Sequence, residues 1–254
     1  IIVEYAQREK VKGTLQTYCW MARSFGSILG TIIGGALCQQ FENQLHIVLS
    51  TTSVIHFTTV LFCLRWVHER EQEARSQSHV IEILRKVVTA IRDPTLWKPI
   101  LFVLLFRASP SSSDAFTYFL IEELHFSPKI LVVLSCLGHI GMLIGARVYQ
   151  KMFSHWRLRQ FFLFMILLST ISSFSPLILV YKINKHLHIP DAIFAAGDDF
   201  FLSTLGEITF MPCLILAAQM APKGIEATMY ALIVSLVNFS SLVSDYGGVA
   251  LASL

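Results

Sequence analysis

The amino-acid sequence predicts an all-α integral membrane protein, from its composition and from the length of its apolar segments. The 254 residues are 54% hydrophobic and only 15% charged, and the mean hydropathy is +0.60. Soluble domains carry about 25% charged residues, so a water-soluble globule is disfavoured. Intrinsic disorder is disfavoured too, because disordered chains are poor in apolar residues and rich in charge. The net charge of +3 argues against a nucleic-acid partner.

A transmembrane helix needs about 20 mostly apolar residues to cross a hydrocarbon core about 30 Å thick. Seven segments of the sequence meet this requirement: residues 14–38, 46–66, 96–120, 129–148, 160–180, 200–218 and 227–249. Such runs are too long for buried strands, and they lack the alternation of apolar and polar residues that strands of a membrane barrel require. The sequence therefore predicts seven transmembrane helices in a lipid bilayer.

The connectors between these segments predict the orientation, because Lys and Arg near the ends of transmembrane helices concentrate on the cytoplasmic side. Most of the basic connector residues fall on alternate connectors, and the opposite connectors hold only Lys129, Lys182 and Lys185. The start of the chain is therefore expected in the cytoplasm and its end outside. Because the chain begins at Ile1 and ends in an apolar stretch, we also expect it to be a fragment of a longer protein.

The longest polar stretch, residues 67–95, separates the second and third segments. It contains an apolar stripe with helical spacing: Val80, Leu84, Val87, Val88 and Ile91. Such a helix is expected to lie on the inner surface of the membrane. The stretch divides the chain into residues 1–66, which would end one helical bundle, and residues 96–254, which would form most of a second.

The third segment carries polar side chains at membrane depth. Four of them have the helical spacing i, i+4, i+7 and i+11: Arg107, Ser111, Asp114 and Tyr118. One continuous helix would place them on one face, with a kink at Pro110. Charged groups at this depth normally face a partner or a water-filled cavity. The pattern therefore predicts a substrate-binding face, and a structural ion pair between Arg107 and Asp114 is the alternative.

The last two segments carry further candidates. Glu207 lies near the middle of the sixth, where a carboxyl group could take up and release a proton, so we predict a role in proton coupling; a hydrogen bond to a neighbouring helix would explain it equally well. Asn238 lies near mid-depth in the seventh, where it could donate to a polar ligand or join two helices. Asp198 and Asp199 are interpreted as caps at the start of the sixth helix.

The first segment predicts close helix packing. Gly26, Gly30 and Gly34 are four residues apart, which removes side chains from one helix face, and Gly35 widens this strip of small residues. Trp20 is interpreted as an interfacial residue, and Arg23 as one that extends toward the cytoplasmic surface.

Motifs of enzymes are absent from the sequence. It has no His and Cys spacing for a metal, no Gly-rich phosphate loop and no nucleophile elbow, so neither catalysis nor a cofactor is expected. A receptor with seven helices is an alternative that fits the helix count. Its orientation, however, would be opposite to the one that the basic residues predict.

Several strings of the sequence resemble the folate–biopterin transporter family, a branch of the major facilitator superfamily. They are GTLQTYCW at 13–20, SDAFTYF at 113–119, LHFSP at 124–128, IPDAIFAAGDD at 189–199 with FMP at 210–212, and APKGIEATMYAL at 221–232. The resemblance implies a twelve-helix transporter in which this chain supplies helices five to eleven. Residues 1–66 would end the N-terminal half, residues 67–95 would be the cytoplasmic central loop, and residues 96–254 would form the C-terminal half without its last helix.

The resemblance also implies a function. Members of the family move folates and pterins, and proton symport by alternating access is the expected mechanism, in the plasma membrane or an organelle envelope. A pterin ring needs stacking and paired hydrogen bonds, and the glutamate carboxylates of folate suit arginine. Tyr118 or Phe116 would then stack on the ring, Asp114 would bind its amino-pyrimidine edge, and Arg107 would bind a carboxylate. Transport of another small metabolite, and a transporter-like protein without transport, stay open as alternatives.

Overall fold

The computed structural model describes residues 14–41, 45–66, 82, 85–89, 92–220 and 225–253. Within these ranges the chain is helical and contains no strand. The helices are α1 (Thr14–Gln40), α2 (Leu45–Trp66), α3 (Pro94–Arg107), α4 (Ser113–Glu122), α5 (Pro128–Val148), α6 (Leu158–Ser172), α7 (Ser175–Val180), α8 (Ile183–His186), α9 (Asp191–Met220) and α10 (Glu226–Ala252). A π-helical turn, Tyr149–Phe153, extends α5.

Six helical segments in the described part of the chain are long and apolar enough to cross a membrane. They correspond to six of the seven predicted segments, which confirms a helical membrane protein but not the count of seven. The exception is residues 96–120, where the structure has the shorter helices α3 and α4. The prediction of one continuous helix there is wrong.

The break between α3 and α4 is stabilised by contacts with α10. The Ser111 N–H donates to the Ser244 carbonyl oxygen over 3.0 Å, and the Ser244 hydroxyl donates to the Ser109 carbonyl oxygen. A Cβ atom at Gly248 would overlap the Ser111 carbonyl oxygen, so the two backbones touch. Pro110 removes a helical donor, and α10 satisfies part of the backbone that the break exposes.

The main interior of the described chain is the packed pair α5 and α9. Three glycines of α5 face α9: Gly138, Gly141 and Gly145. A Cβ atom at Gly141 would lie 2.5 Å from the carbonyl oxygen of Phe200, and one at Gly145 would lie 2.6 Å from that of Thr204. Small residues at helical spacing allow such close approach in membrane helices.

The packing predicted for the small residues of α1 is seen at one of the four glycines. Gly35 meets α5, since a Cβ there would lie 2.7 Å from the Val132 side chain. In the described part of the chain no atom lies within 4 Å of a Cβ placed at Gly26, Gly30 or Gly34.

The start of α9 also differs from the prediction. The helix begins at Asp191 rather than near residue 200, and two contacts join that residue to α8. The Asn184 amide donates to Asp191 Oδ1 over 2.6 Å, and Lys185 forms a salt bridge with Asp191 at 3.4 Å. Asp198 and Asp199 therefore lie inside the helix, and their interpretation as caps is wrong.

Within the predicted N-terminal part and central loop, residues 1–95, the structure describes α2 and a short helical stretch at residues 85–89 besides α1. The apolar side chains of α2 are mostly exposed, as lipid contact permits: Leu49, Val54, Phe57, Phe62 and Leu64 are examples. Residues 85–89 are helical, and Val87 packs against Ile225 and Met229 near the start of α10. Most of the predicted amphipathic helix lies outside the described residues.

Candidate functional site

A cavity of about 320 Å³ lies among α3, α6, α9, α10 and the break after α3. Its lining residues are Phe106, Arg107, Ser111, Ser169, Gly206, Thr209, Ser241, Ser244 and Asp245. The lining combines a guanidinium group, a carboxylate and several hydroxyls. Ligand sites of proteins commonly occupy about 300–1,000 Å³ and contain a few such polar groups. The cavity is therefore the candidate site.

Arg107 is held in this cavity by α9 and α10. It ends α3, and its Nη2 donates to the Ser241 hydroxyl oxygen over 3.1 Å. The guanidinium carbon lies 5.1 Å from the centre of the Phe210 ring, which is within cation–π range. Its buried Nε has no hydrogen-bond partner among the described residues. Arg107 is thus oriented by the protein and keeps an unused donor.

An aromatic pair connects this arginine to α1. Trp20 packs edge-to-face on Phe210 with ring centres 5.0 Å apart, and the Arg23 guanidinium lies 4.5 Å from the Trp20 ring centre. Each ring of the pair therefore has one guanidinium group within cation–π distance, Arg107 at Phe210 and Arg23 at Trp20. Trp20 packs against the main apolar core, so a purely interfacial role for it is wrong.

Glu207 lies behind the cavity wall, on the side of α9 that faces α5. The residue is only 5% exposed, and its Oε1 has no hydrogen-bond partner among the described residues. A Cβ atom at Gly145 would lie 3.0 Å from the Cβ of Glu207. Arg23 and Arg107 both interact electrostatically with this carboxyl group. Glu207 is therefore a buried acid within electrostatic range of arginines on two other helices.

A second acidic group lies nearer the start of α9. Asp198 is 6% exposed and accepts a hydrogen bond from the Ser175 hydroxyl, while its Oδ2 has no partner in the described chain. Asp199 Oδ2 lies against Gly138 of α5, 2.6 Å from where a Cβ would be. His139, the next residue of α5, has a buried Nδ1 that finds no hydrogen-bond partner in the part of the chain that the structure describes. The contact between α5 and α9 thus contains ionisable groups at two levels along α9, with Asp199 at Gly138 and Glu207 at Gly145.

Only some of the residues that the sequence predicts for substrate binding line the cavity in the structure. Arg107 and Ser111 line the cavity together. Asp114 lies exposed in the first turn of α4, Tyr118 is 68% exposed, and Asn238 is exposed on α10. None of these three lines the cavity. The predicted common helix face is wrong because the chain leaves the helix after Arg107.

Other polar groups of the cavity had no predicted role. Thr209, Ser241, Ser244 and Asp245 line it with Arg107. Three of them lie at the helical spacing i, i+3 and i+4 on α10: Ser241, Ser244 and Asp245. This spacing places them on one face of the helix, which is why they line the same wall of the cavity. In the described residues, no group of three or more His, Cys, Asp or Glu side chains is arranged to hold a metal ion.

The chain is similar to proteins of one family along its whole length. The BT1 family matches residues 1–254. The chain is 34% identical over 248 residues to the "Folate-biopterin transporter" of Synechocystis sp., covering 96% of this chain and 49% of that protein. It is 27% identical over 221 residues to "Folate transporter 2" of Plasmodium falciparum, covering 87% of this chain and 48% of that protein.

A plant relative, "Probable folate-biopterin transporter 6" of Arabidopsis thaliana, is 22% identical over 247 residues, which cover 92% of this chain and 48% of that protein. The chain spans about half the length of the curated relatives that it matches. No solved structure matches it at a significant level. The matches and the six helices of membrane-spanning length together establish a multi-pass membrane protein.

Proposed function

The chain belongs to the BT1 family, and we propose that it forms part of a proton-coupled membrane transporter for folates or pterins. The observation that carries the proposal is the position of Arg107: it lines a cavity in a membrane protein, it is held by two helices, and it keeps an unused donor. A buried guanidinium is well suited to bind acceptor groups of a polar substrate. These would be a carboxylate of folate or the oxygen and nitrogen edge of a pterin ring.

Alternating access requires two parts of the protein that move against each other around the site. We assign residues 1–66 to the N-terminal half, residues 67–95 to the central loop and residues 96–254 to the C-terminal half, as in the major facilitator superfamily. On this assignment α1 packs across the boundary between the halves, because it contacts α5 and α9. The Trp20–Phe210 contact would then form or open as the halves move.

Glu207 is the proposed proton carrier. It is buried, it has an unpaired oxygen, and it interacts with Arg107 of the cavity and with Arg23 of α1. Protonation of such a carboxyl group would change its attraction to both arginines. A change in the charge of Glu207 would therefore alter the electrostatic interaction with Arg107 at the substrate site and with Arg23 at the boundary between the halves.

Three residues predicted to bind substrate do not belong to the proposed site in this cavity: Asp114, Tyr118 and Asn238. Their exposed side chains do not line the cavity, so they would contact substrate only on a face completed by other parts of a longer transporter. The coupling role predicted for Asp114 has the same requirement. Arg107 and Ser111 need no such additional surface.

The proposal is tested by uptake of radiolabelled folate and biopterin into cells that express the intact transporter containing this chain. We expect Arg107→Ala to lower uptake at least tenfold and Arg107→Lys to restore part of it, since lysine keeps the charge but loses the fork of donors. Arg147→Ala is the matched control, because Arg147 is exposed in the last turn of α5. Equal uptake by wild type and Arg107→Ala, at equal surface expression, would overturn the role of the cavity.

A transporter for another small metabolite is the second candidate. Its test is competition: unlabelled pterins, folates and amino acids are added in turn during uptake of the labelled substrate. Inhibition by pterins and folates alone supports the proposed substrate class. Wild-type protein that takes up neither folate nor any pterin would refute it.

A further inference from the structure

The cavity contains a second charged group besides Arg107. Asp245, an exposed residue, lines the cavity on α10, one turn beyond Ser241, which receives the hydrogen bond from Arg107. In the described part of the chain Asp245 makes neither a hydrogen bond nor a salt bridge, and it does not pair with Arg107. The two charged groups therefore line one cavity without neutralising each other.

Several of the hydroxyl groups around Arg107 and Asp245 already donate hydrogen bonds to backbone carbonyl oxygens of the protein. Thr209 donates to the Leu205 carbonyl oxygen over 2.8 Å, and Ser241 donates to that of Val237 over 3.4 Å. The Ser244 hydroxyl donates to the break after α3. Two charged groups of the cavity keep hydrogen-bonding capacity that the described residues do not use: the Asp245 carboxylate and the Nε donor of Arg107.

We propose that Asp245 is a specificity-determining residue that binds the donor edge of a 2-amino-4-oxopteridine ring. This inference rests on the proposed function and names the part of the substrate that the cavity holds. The amino group and the adjacent ring N–H of such a molecule point the same way and match the two oxygens of a carboxylate. Arg107, which lines the same cavity from α3, would bind the carbonyl oxygen and ring nitrogen on the other edge.

The position of Asp245 makes it a better partner for this edge than Asp114, to which the sequence assigned the role. Asp114 lies on α4 and outside the cavity, whereas Asp245 and Arg107 line the same space. A cavity of about 320 Å³ lies at the lower end of the usual range for ligand sites, which suits a bicyclic ring better than a complete folate. The tail of a folate would extend beyond these residues.

The test measures selectivity rather than activity alone. Pterin and lumazine, whose ring carries a carbonyl oxygen in place of the amino group, compete with labelled folate for uptake by the intact transporter. Wild type is expected to prefer pterin by at least tenfold, because lumazine sets an acceptor against the carboxylate. Asp245→Asn, which offers a donor at this position, is expected to reduce this preference to threefold or less, and Asp245→Glu is expected to retain it.

The matched control is Glu122→Gln, which removes an exposed carboxylate of α4 outside the cavity and is expected to keep the wild-type ratio. Asp245→Ser, a smaller replacement without charge, is measured in parallel in case the asparagine variant is not expressed. A wild-type ratio in Asp245→Asn or in Asp245→Ser would overturn the inference while leaving the proposed function intact. Wild-type protein that transports neither folates nor pterins would overturn both.

Discussion

The guanidinium group of Arg107 lies 5.1 Å from the centre of the Phe210 ring, so an arginine of α3 is supported by an aromatic residue of α9. Trp20 of α1 supports the same ring from another side. The orientation of the arginine therefore depends on residues that do not line the cavity themselves. A substitution of either ring should act on the site through Arg107.

Phe210→Leu tests this dependence. The change keeps an apolar side chain but removes the ring face, and a cation–π contact contributes about 0.5–2 kcal/mol. We expect the KM for folate uptake to rise about three- to tenfold, with expression unchanged, and Phe210→Tyr to stay near wild type. Phe201→Leu on the same helix is the control, because Phe201 is exposed. A KM that does not respond to Phe210→Leu would show that the ring does not position Arg107.

Gly248→Ala should disturb the break between α3 and α4. The added Cβ would overlap the Ser111 carbonyl oxygen, which belongs to backbone and cannot rotate away. Overpacking of this kind usually costs about 1–3 kcal/mol. We expect a lower midpoint of thermal unfolding for the purified protein in detergent, together with reduced uptake.

The neighbouring glycine provides the control for that experiment. A Cβ at Gly247 would lie 3.5 Å from Pro110, which is an ordinary contact, so Gly247→Ala should unfold near the wild-type temperature. If both variants unfold at the same temperature, the close approach of α10 to the break does not contribute to stability.

The contact between α5 and α9 gives a third prediction. Gly141→Ala would place a Cβ 2.5 Å from the Phe200 carbonyl oxygen, so the helices must separate. We expect a destabilisation of about 1–3 kcal/mol, measured by thermal unfolding in detergent. Gly197→Ala on α9 meets no atom within 4 Å and should change the midpoint little. Similar midpoints for the two variants would argue against tight packing of this pair.

The sequence predicted the long helices well because membrane burial is visible in composition. The predicted segments 46–66 and 129–148 closely match α2 and α5, since an uninterrupted apolar run must be helical to satisfy its backbone in lipid. The break after Arg107 was predicted only as a kink at Pro110. Its extent depends on Ser244 and Gly248, whose proximity no local pattern reveals.

The acidic groups of α9 were misplaced for a related reason. Two adjacent aspartates usually mark the end of a transmembrane helix, so the sequence favoured a helix that begins after Asp199. Gly138 of α5 leaves room for the Asp199 side chain, and the Ser175 hydroxyl of α7 donates a hydrogen bond to Asp198. The site was likewise recovered in part: Arg107 and Ser111 line the cavity, but Asp245 gains its significance only from the tertiary contact between α3 and α10.

Glu207→Gln separates proton coupling from substrate binding. Glutamine has nearly the same shape as glutamic acid but cannot take up or release a proton, and the carboxyl group it replaces lies outside the cavity lining. We therefore expect uptake driven by an inward proton gradient to fall at least tenfold. Exchange of labelled for unlabelled folate across vesicles without a gradient should persist, because exchange needs no net proton movement. Both are measured in proteoliposomes that contain the intact transporter.

The contrast between the two assays makes the outcome specific. A substitution that merely disturbed the packing of α9 against Gly145 would lower gradient-driven uptake and exchange together, and so would loss of the substrate site, for which Arg107→Ala is the reference. Gradient-driven uptake by Glu207→Gln at the wild-type rate would remove this residue from the coupling mechanism. Loss of gradient-driven uptake with retained exchange would assign the coupled proton to the Glu207 carboxyl group, because the glutamine variant differs from wild type in that proton.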